Sequence, residues 1–205
     1  MPRSKSSRAW LARHVGDPYV KRAKKEGARS RAHFKLAEID ARDKLLRPGM
    51  VVVDLGAAPG GWSAYVARRI APGGRVVAVD LLPMAPILGV EFIQGDFSDL
   101  QVLDLLRSKL SGAADLVISD MAPNISGIAS ADQARAAALA EAAVEFAETT
   151  LRSGGSILLK AFHGGGFENL RRRLRARFTK VVTRKPKASR TESREIYLLA
   201  KGFSG

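Results

Sequence analysis

One lysine stands where lysine is costly. Lys160 lies in Leu158-Leu159-Lys160-Ala161-Phe162, with apolar residues on both sides. Burial disfavours a charged ammonium, so the pattern predicts an amine whose pKa falls and which can take up a proton. A carboxylate ends another apolar run, in Ser119-Asp120-Met121-Ala122-Pro123-Asn124. Asp120 also has the form of a residue that closes its own turn. Lys35, in Arg31-Ala32-His33-Phe34-Lys35-Leu36, and Glu195, in Ser193-Arg194-Glu195-Ile196-Tyr197, are unremarkable when taken singly. A second group is the loop Asp54-Leu55-Gly56-Ala57-Ala58-Pro59-Gly60-Gly61-Trp62-Ser63. Its small residues let the backbone approach a ligand, and amides at a helix start favour an anionic group.

These residues need elements to hold them. Val51 to Leu55 reads as a buried strand, Gly60 to Ile70 as a helix, Arg75 to Asp80 and Val90 to Gln94 as two further strands. Residues 99–110 carry a helical period, Ala114 to Ser119 is a fourth strand, and the alanine-rich stretch 131–151 is a long helix. Ser156 to Ala161 is a fifth strand and Gly166 to Arg177 a basic helix. Lys180 to Thr183 and Ile196 to Ala200 are two last strands with no helix between them, so one should run antiparallel. Ser30 to Arg42 is an additional early helix, while residues 1–20 and 184–194 look irregular. Apolar strands separated by helices imply a mostly parallel sheet covered on both faces. A single domain over 1–205, with a basic extension over about 1–31, is expected.

In such a sheet, ligands sit beyond the carboxyl ends of strands. A dinucleotide or S-adenosylmethionine would suit the loop after the first strand. The loop has alanine at the second fingerprint glycine and proline just before the third, which weakens the dinucleotide reading. Asp80 ends the second strand, placed to accept from ribose hydroxyls, and Asp96 follows the third, suited to an adenine edge. With Asp54, three acids would surround a sulfonium sensibly.

Charge narrows the partner. Of a net +14, residues 1–31 contribute +8 and residues 168–194 contribute +9, which leaves a body at −3. Two basic flanks on a mildly acidic body point to a polyanion, nucleic acid before membrane. The chain has no cysteine, which excludes disulfides, thiolate metal sites and a cysteine nucleophile. The three histidines are far apart and give no metal-ligand spacing. No apolar run is long enough to span a bilayer, and no apolar segment follows the charged first residues, so a cytoplasmic protein is expected. Trp10, Tyr19 and Trp62 could stack on bases, with core packing the better reading for Trp62.

The ordered set Lys35, Asp120, Lys160, Glu195 resembles the tetrad of 2′-O-ribose methyltransferases. Asp54 to Trp62, Asp80-Leu81-Leu82-Pro83-Met84, Gln94-Gly95-Asp96-Phe97, Ser119 to Asn124 and Ser193-Arg194-Glu195 resemble the FtsJ-type members more closely, from about Trp10 to Ala200. The resemblance implies a Rossmann-like fold with a seven-stranded, mostly parallel sheet containing one antiparallel strand. It implies S-adenosylmethionine as cofactor, held by Gly56, Pro59, Gly60, Gly61, Trp62, Asp80, Asp96 and Asp120. It implies bacterial large-subunit ribosomal RNA as partner, with an A-loop uridine as target. The chain departs from the family at Ala161-Phe162-His163-Gly164-Gly165-Gly166, where a more polar, acid-containing loop is usual.

A ribose hydroxyl attacks only after losing its proton, whereas a sulfonium methyl is already activated, so the protein must supply a base and alignment. Lys160 is the candidate base, Asp120 its orienting carboxylate, Lys35 a second cation, and Glu195 the group that fixes Lys35 or the ribose. This chemistry needs no metal, and a monomer is expected. Transfer RNA as substrate, or an rRNA-binding assembly factor without catalysis, are the competing readings, and a cap-binding slot is not evident.

Overall fold

The computed structural model describes residues 16–124, 126–190 and 193–205. Its strands are β1 (Val51–Leu55), β2 (Arg75–Asp80), β3 (Val90–Gln94), β4 (Ala114–Ser119), β5 (Leu151–Phe162), β6 (Phe178–Arg184) and β7 (Glu195–Phe203). The helices are α1 (Pro18–Lys25), α2 (Ala32–Asp43), α3 (Gly61–Ile70), α4 (Leu100–Leu110), α5 (Ala129–Thr150) and α6 (Phe167–Arg177). The strands form one sheet in the order β3-β2-β1-β4-β5-β7-β6. β7 alone runs against its neighbours, antiparallel to both β5 and β6.

Alternation along the strands divides the core into two layers. Val53, Val117 and Leu159 pack with Leu106 of α4, Val144 of α5 and Leu174 of α6. Val52, Ile118, Leu158 and Leu199 pack on the other face with Leu36 of α2 and Trp62 and Val66 of α3. Asp54, Lys160 and Tyr197 share the parity of this second set, so the chemistry-bearing residues face α2 and α3. The order of the strands reverses between β1 and β4, where the crevice of an open sheet opens.

α2 is anchored by one buried carboxylate. Asp40 accepts from the amides of Leu45 and Leu46, and from the Tyr65 hydroxyl and Arg69 of α3. Lys44, in the left-handed region, ends the helix.

Several boundaries differ from expectation: β6 and β7 extend beyond Lys180 to Thr183 and Ile196 to Ala200, to Phe178–Arg184 and Glu195–Phe203. Residues 18–20, read as irregular, belong to α1: Asp17 caps it by accepting from the Tyr19 amide, and Pro18 fills the first turn. The helix is short and highly charged, and its apolar side, Val20 and Ala23, is too small to show as a period. β5 begins at Leu151 rather than Ser156, because α5 runs straight into it through a register shift against β4. Residues 1–15 of the basic extension, with Trp10, lie outside the described residues.

Candidate active site

β4, β5 and β7 are adjacent, and their register decides what meets at their ends. Ser119 pairs with Leu159, so Asp120 emerges beside Lys160. Lys160 in turn lies opposite Tyr197, and Phe162 opposite Glu195. The Lys160 Nζ sits 2.7 Å from the Asp120 Oδ1 and donates to the Asp120 carbonyl at 2.8 Å. The Tyr197 hydroxyl donates to the same carboxylate oxygen at 2.7 Å. From α2, the Lys35 Nζ meets the Glu195 Oε1 at 2.5 Å and lies over the Tyr197 ring. The four residues marked in the sequence are thus brought together as two ion pairs joined by one tyrosine.

Lys160 is not the isolated amine that its apolar strand suggests. Its side chain is 8% exposed, but the Asp120 carboxylate offsets the cost of burying a charge. Burial alone would raise the Asp120 carboxyl. Lys160 and Lys35, with the hydrogen bonds from Lys160 and Tyr197, outweigh it and hold Asp120 below the usual carboxylate range. Burial, then the Asp120 and Glu195 charges, push the Tyr197 phenol well above its ordinary value, so it stays a donor.

Tyr197 was not among the residues selected from the sequence. A polar tip inside an apolar strand was its only signal, and its partner depends on a cross-strand register that single-sequence patterns do not give. Ser189, which donates to Glu195 at 2.8 Å, comes from an irregular loop and left no signal at all. That loop is clasped to α2: Glu38 accepts from the amides of Lys187 and Ala188, and Arg31 donates to the Ala188 carbonyl. Arg31 also pairs with Asp17 at 2.9 Å. Arg29 reaches the carbonyls of Pro59, Ala85 and Pro86. Part of the basic flank is therefore internal scaffolding, while Lys21, Lys24 and Lys25 of α1 stay exposed.

The glycine loop lies on the β1 and β2 side of the same crevice. Gly56 has a φ of +76°, and a Cβ there would come within 2.4 Å of the Met121 Cγ. The chain after β1 thus crosses the chain after β4 at van der Waals range, which only glycine allows. Gly60 (φ +95°) starts α3 with no side-chain cap of its own. Gly61 serves packing instead, since a Cβ would strike the Ser30 hydroxyl. Trp62 is buried, its indole donates to the Ala32 carbonyl, and its ring packs at 5.7 Å from that of Tyr197, so only its backbone is left for a ligand. Tyr19 packs on Phe34.

The three acids behave differently. Asp80 accepts from the amides of Ala58 and Leu82, and so braces the loop. Asp96 is exposed, and its hydrogen bonds from the Ser98 hydroxyl and amide lower its carboxyl. Asp54 is buried, with Oδ2 taken by the Ser63 hydroxyl and Oδ1 without a partner. Burial raises its carboxyl to about 7; the Ser63 hydrogen bond opposes this, and the nearby charges of Asp120 and Asp80 add to it.

Residues 28–203 match the FtsJ-like methyltransferases. The chain belongs to that family. Among curated relatives, the ribosomal RNA large subunit methyltransferase E of Methylobacillus flagellatus is 56% identical over 200 residues, covering 97% of each chain. The same-named protein of Marinobacter nauticus is 55% identical over 204 residues, covering 99% of each. Among solved structures, a Plasmodium falciparum protein described as a ribosomal RNA methyltransferase superposes with a TM-score of 0.78 at 30% identity, covering 86% of this chain and 99% of that one. An rRNA-methylase structure from Clostridium thermocellum, at 17% identity and a TM-score of 0.55, shares the fold. As an FtsJ-like methyltransferase, the chain is an enzyme that moves a methyl group, built on a Rossmann-like seven-stranded sheet.

Proposed function

We propose that this FtsJ-like methyltransferase uses S-adenosylmethionine to methylate a ribose 2′-hydroxyl of large-subunit ribosomal RNA. In its finer form, the target is a uridine of the A-loop in the assembled large subunit, and the enzyme acts in the cytoplasm as a monomer. The observation that carries this reading is the double ion pair Lys160–Asp120 and Lys35–Glu195 beside a glycine loop. Relatives that share over half their residues with this chain, and match it along nearly their whole length, are named for large-subunit rRNA.

The residues present fit the proposed donor. Asp54 has a buried oxygen without a partner, next to two further acids, and this suits a cationic ligand. The uncapped start of α3 suits a carboxylate. Gly56, Gly60 and the backbone of 57–62 would hold the donor, with Asp80 and Asp96 placed for its sugar and base. When bound, S-adenosylmethionine supplies a methyl group activated by its sulfonium.

The chain's own task is the hydroxyl. Lys160, in its neutral form, accepts the 2′-hydroxyl proton at Nζ as the oxygen becomes nucleophilic. Asp120 and Tyr197 hold that amine in one position and stabilise the ammonium it becomes. Lys35, steadied by Glu195 and Ser189, places a second positive charge near the developing alkoxide. Only RNA carries the 2′-hydroxyl, so the basic α1 would track RNA phosphates.

The test is methyl transfer from labelled donor to large subunits, free ribosomal RNA and transfer RNA, using wild type and Lys160→Ala. Label in ribosomal RNA that Lys160→Ala abolishes supports the proposal. Label only in transfer RNA, or none at all, would replace it with one of the competing readings.

A further inference from the structure

A cleft of about 230 Å³ opens beyond the carboxyl ends of β4 and β5, beside the ion pairs but not part of them. Its walls include Ala122, Pro123, Ala136, Phe162, His163 and Arg194. We propose that this cleft receives the base of the nucleotide whose ribose is methylated. The inference rests on the ribose-methylation reading and adds where the rest of that nucleotide goes.

Position along the chain is the first argument. Ala122 follows Asp120 by two residues, Phe162 follows Lys160 by two, and Arg194 directly precedes Glu195. Three members of the tetrad therefore have a cleft wall as close chain neighbour. A sugar at the Lys160 amine has its base within reach of this space.

Chemistry is the second argument. The interior is apolar or aromatic, with Pro123, Ala136 and the half-buried Phe162, and so suits a flat uncharged ring rather than a phosphate. The exposed His163 and Arg194 stand at the cleft, and the His163 amide donates to the Arg194 carbonyl, which ties the two sides together. The one acid at the cleft, Asp132, is committed to Ser126, Gly127 and Arg135 and leaves no free negative charge to repel RNA. The volume lies below the roughly 300–1,000 Å³ of pockets for drug-sized ligands, which suits one base and not a dinucleotide.

The glycine run 164–166 fixes one wall. Gly164 has a φ of +146°, and a Cβ on it would lie 1.8 Å from the Gln133 amide nitrogen. The loop after β5 is thereby laid directly against α5.

Ala122→Trp tests the assignment, because Ala122 is exposed and a larger side chain there fills the cleft without entering the core. With ribosomal RNA as substrate, KM should rise by about tenfold or more, the loss of one stacked base. Donor affinity by calorimetry and thermal unfolding should stay at wild-type values. Arg194→Ala, also at an exposed position, should raise KM less. Irradiation of a complex with RNA transcribed with 4-thiouridine should give an adduct on the peptide 161–171. An unchanged KM in Ala122→Trp, or adducts confined to other peptides, would overturn the proposal. A variant that keeps its KM but loses affinity for a ribosomal protein would assign the cleft to a peptide instead. If the wild type methylates no ribose, the underlying reading fails; if it does and the filled cleft changes nothing, only this inference fails.

Discussion

At the ends of β4, β5 and β7, charges are settled by one another: Lys160 with Asp120 at 2.7 Å, Lys35 with Glu195 at 2.5 Å, and Tyr197 bridging between them. At the ends of β1 and β2, acids are settled by neutral donors, backbone amides and one serine hydroxyl, and one carboxylate oxygen has none. Asp80 braces its loop through two amides, while Asp54 keeps one buried oxygen unpaired. The first region is complete without a ligand and rigid by mutual pairing. The second is shaped by glycines and holds an unsatisfied electrostatic demand that a cationic ligand would meet. On the function proposed above, the first would be a proton-accepting centre, which needs fixed geometry, and the second a binding loop, which gains affinity by leaving a charge to be answered.

The largest expected effect breaks the first region. Lys160→Ala should lower methyl transfer by about 10²–10⁴-fold, the usual worth of a positioned base. It also strands the Asp120 carboxylate, at a cost on the order of 3 kcal/mol. Adding Asp120→Asn should recover much of that stability and none of the activity. Recovery of both in the double variant would show that the lysine only balances a charge.

Asp54 tests the second region through pH. Its folded-state carboxyl is raised to about 7, above the value of about 4 expected in the unfolded chain. The folded protein thus holds this proton more tightly than the unfolded one. The group favours folding below about pH 4, and that contribution is lost as pH rises through about 7. Unliganded Asp54→Asn should therefore be more stable than wild type above pH 7, by up to about 4 kcal/mol, with the gap closing towards pH 4. Parallel stability curves from thermal unfolding would show that this burial carries no penalty. Calorimetry in buffers of different ionisation enthalpy should also show proton release when S-adenosylmethionine binds the wild type near pH 7, and none in Asp54→Asn.

Gly56→Ala forces a side chain into the left-handed region and against Met121, at a cost of about 1–3 kcal/mol. Donor affinity should fall with it. Adding Met121→Ala relieves the contact and not the backbone, so the recovery should be partial. The smallest effect is expected from Tyr197→Phe. Losing one hydrogen bond to Asp120 should cost about 1 kcal/mol of stability and a few-fold in kcat, with KM unchanged. A kcat unaffected in this variant would mean that Lys160 alone positions Asp120.

The same contrast separates what could be read from the sequence. β1 to β4 were legible to the residue because each is a short apolar run bounded by glycine, proline or acid. The tetrad was legible as an ordered set of residue types, and Gly56 as a small residue after a strand. Tyr197 and Ser189 were not, because their partners come from cross-strand register and from a loop without periodicity. α1 was missed because its buried side is two residues wide. The pairing of Lys160 with Asp120 was legible from the residue set, but the second bond of its amine, to the Asp120 carbonyl, was not, because it depends on how two strands lie side by side. Glycines read for ligand approach also proved to serve packing, as Gly61 does against Ser30.

Mapping the transferred methyl by mass spectrometry is the most direct test of the central claim. Large-subunit ribosomal RNA from cells lacking this protein would be incubated with S-adenosylmethionine and either wild type or Lys160→Ala. The account predicts one new 2′-O-methylribose with the wild type and none with the variant. A methyl group on a base atom, or the same ribose mark made by both proteins, would contradict it.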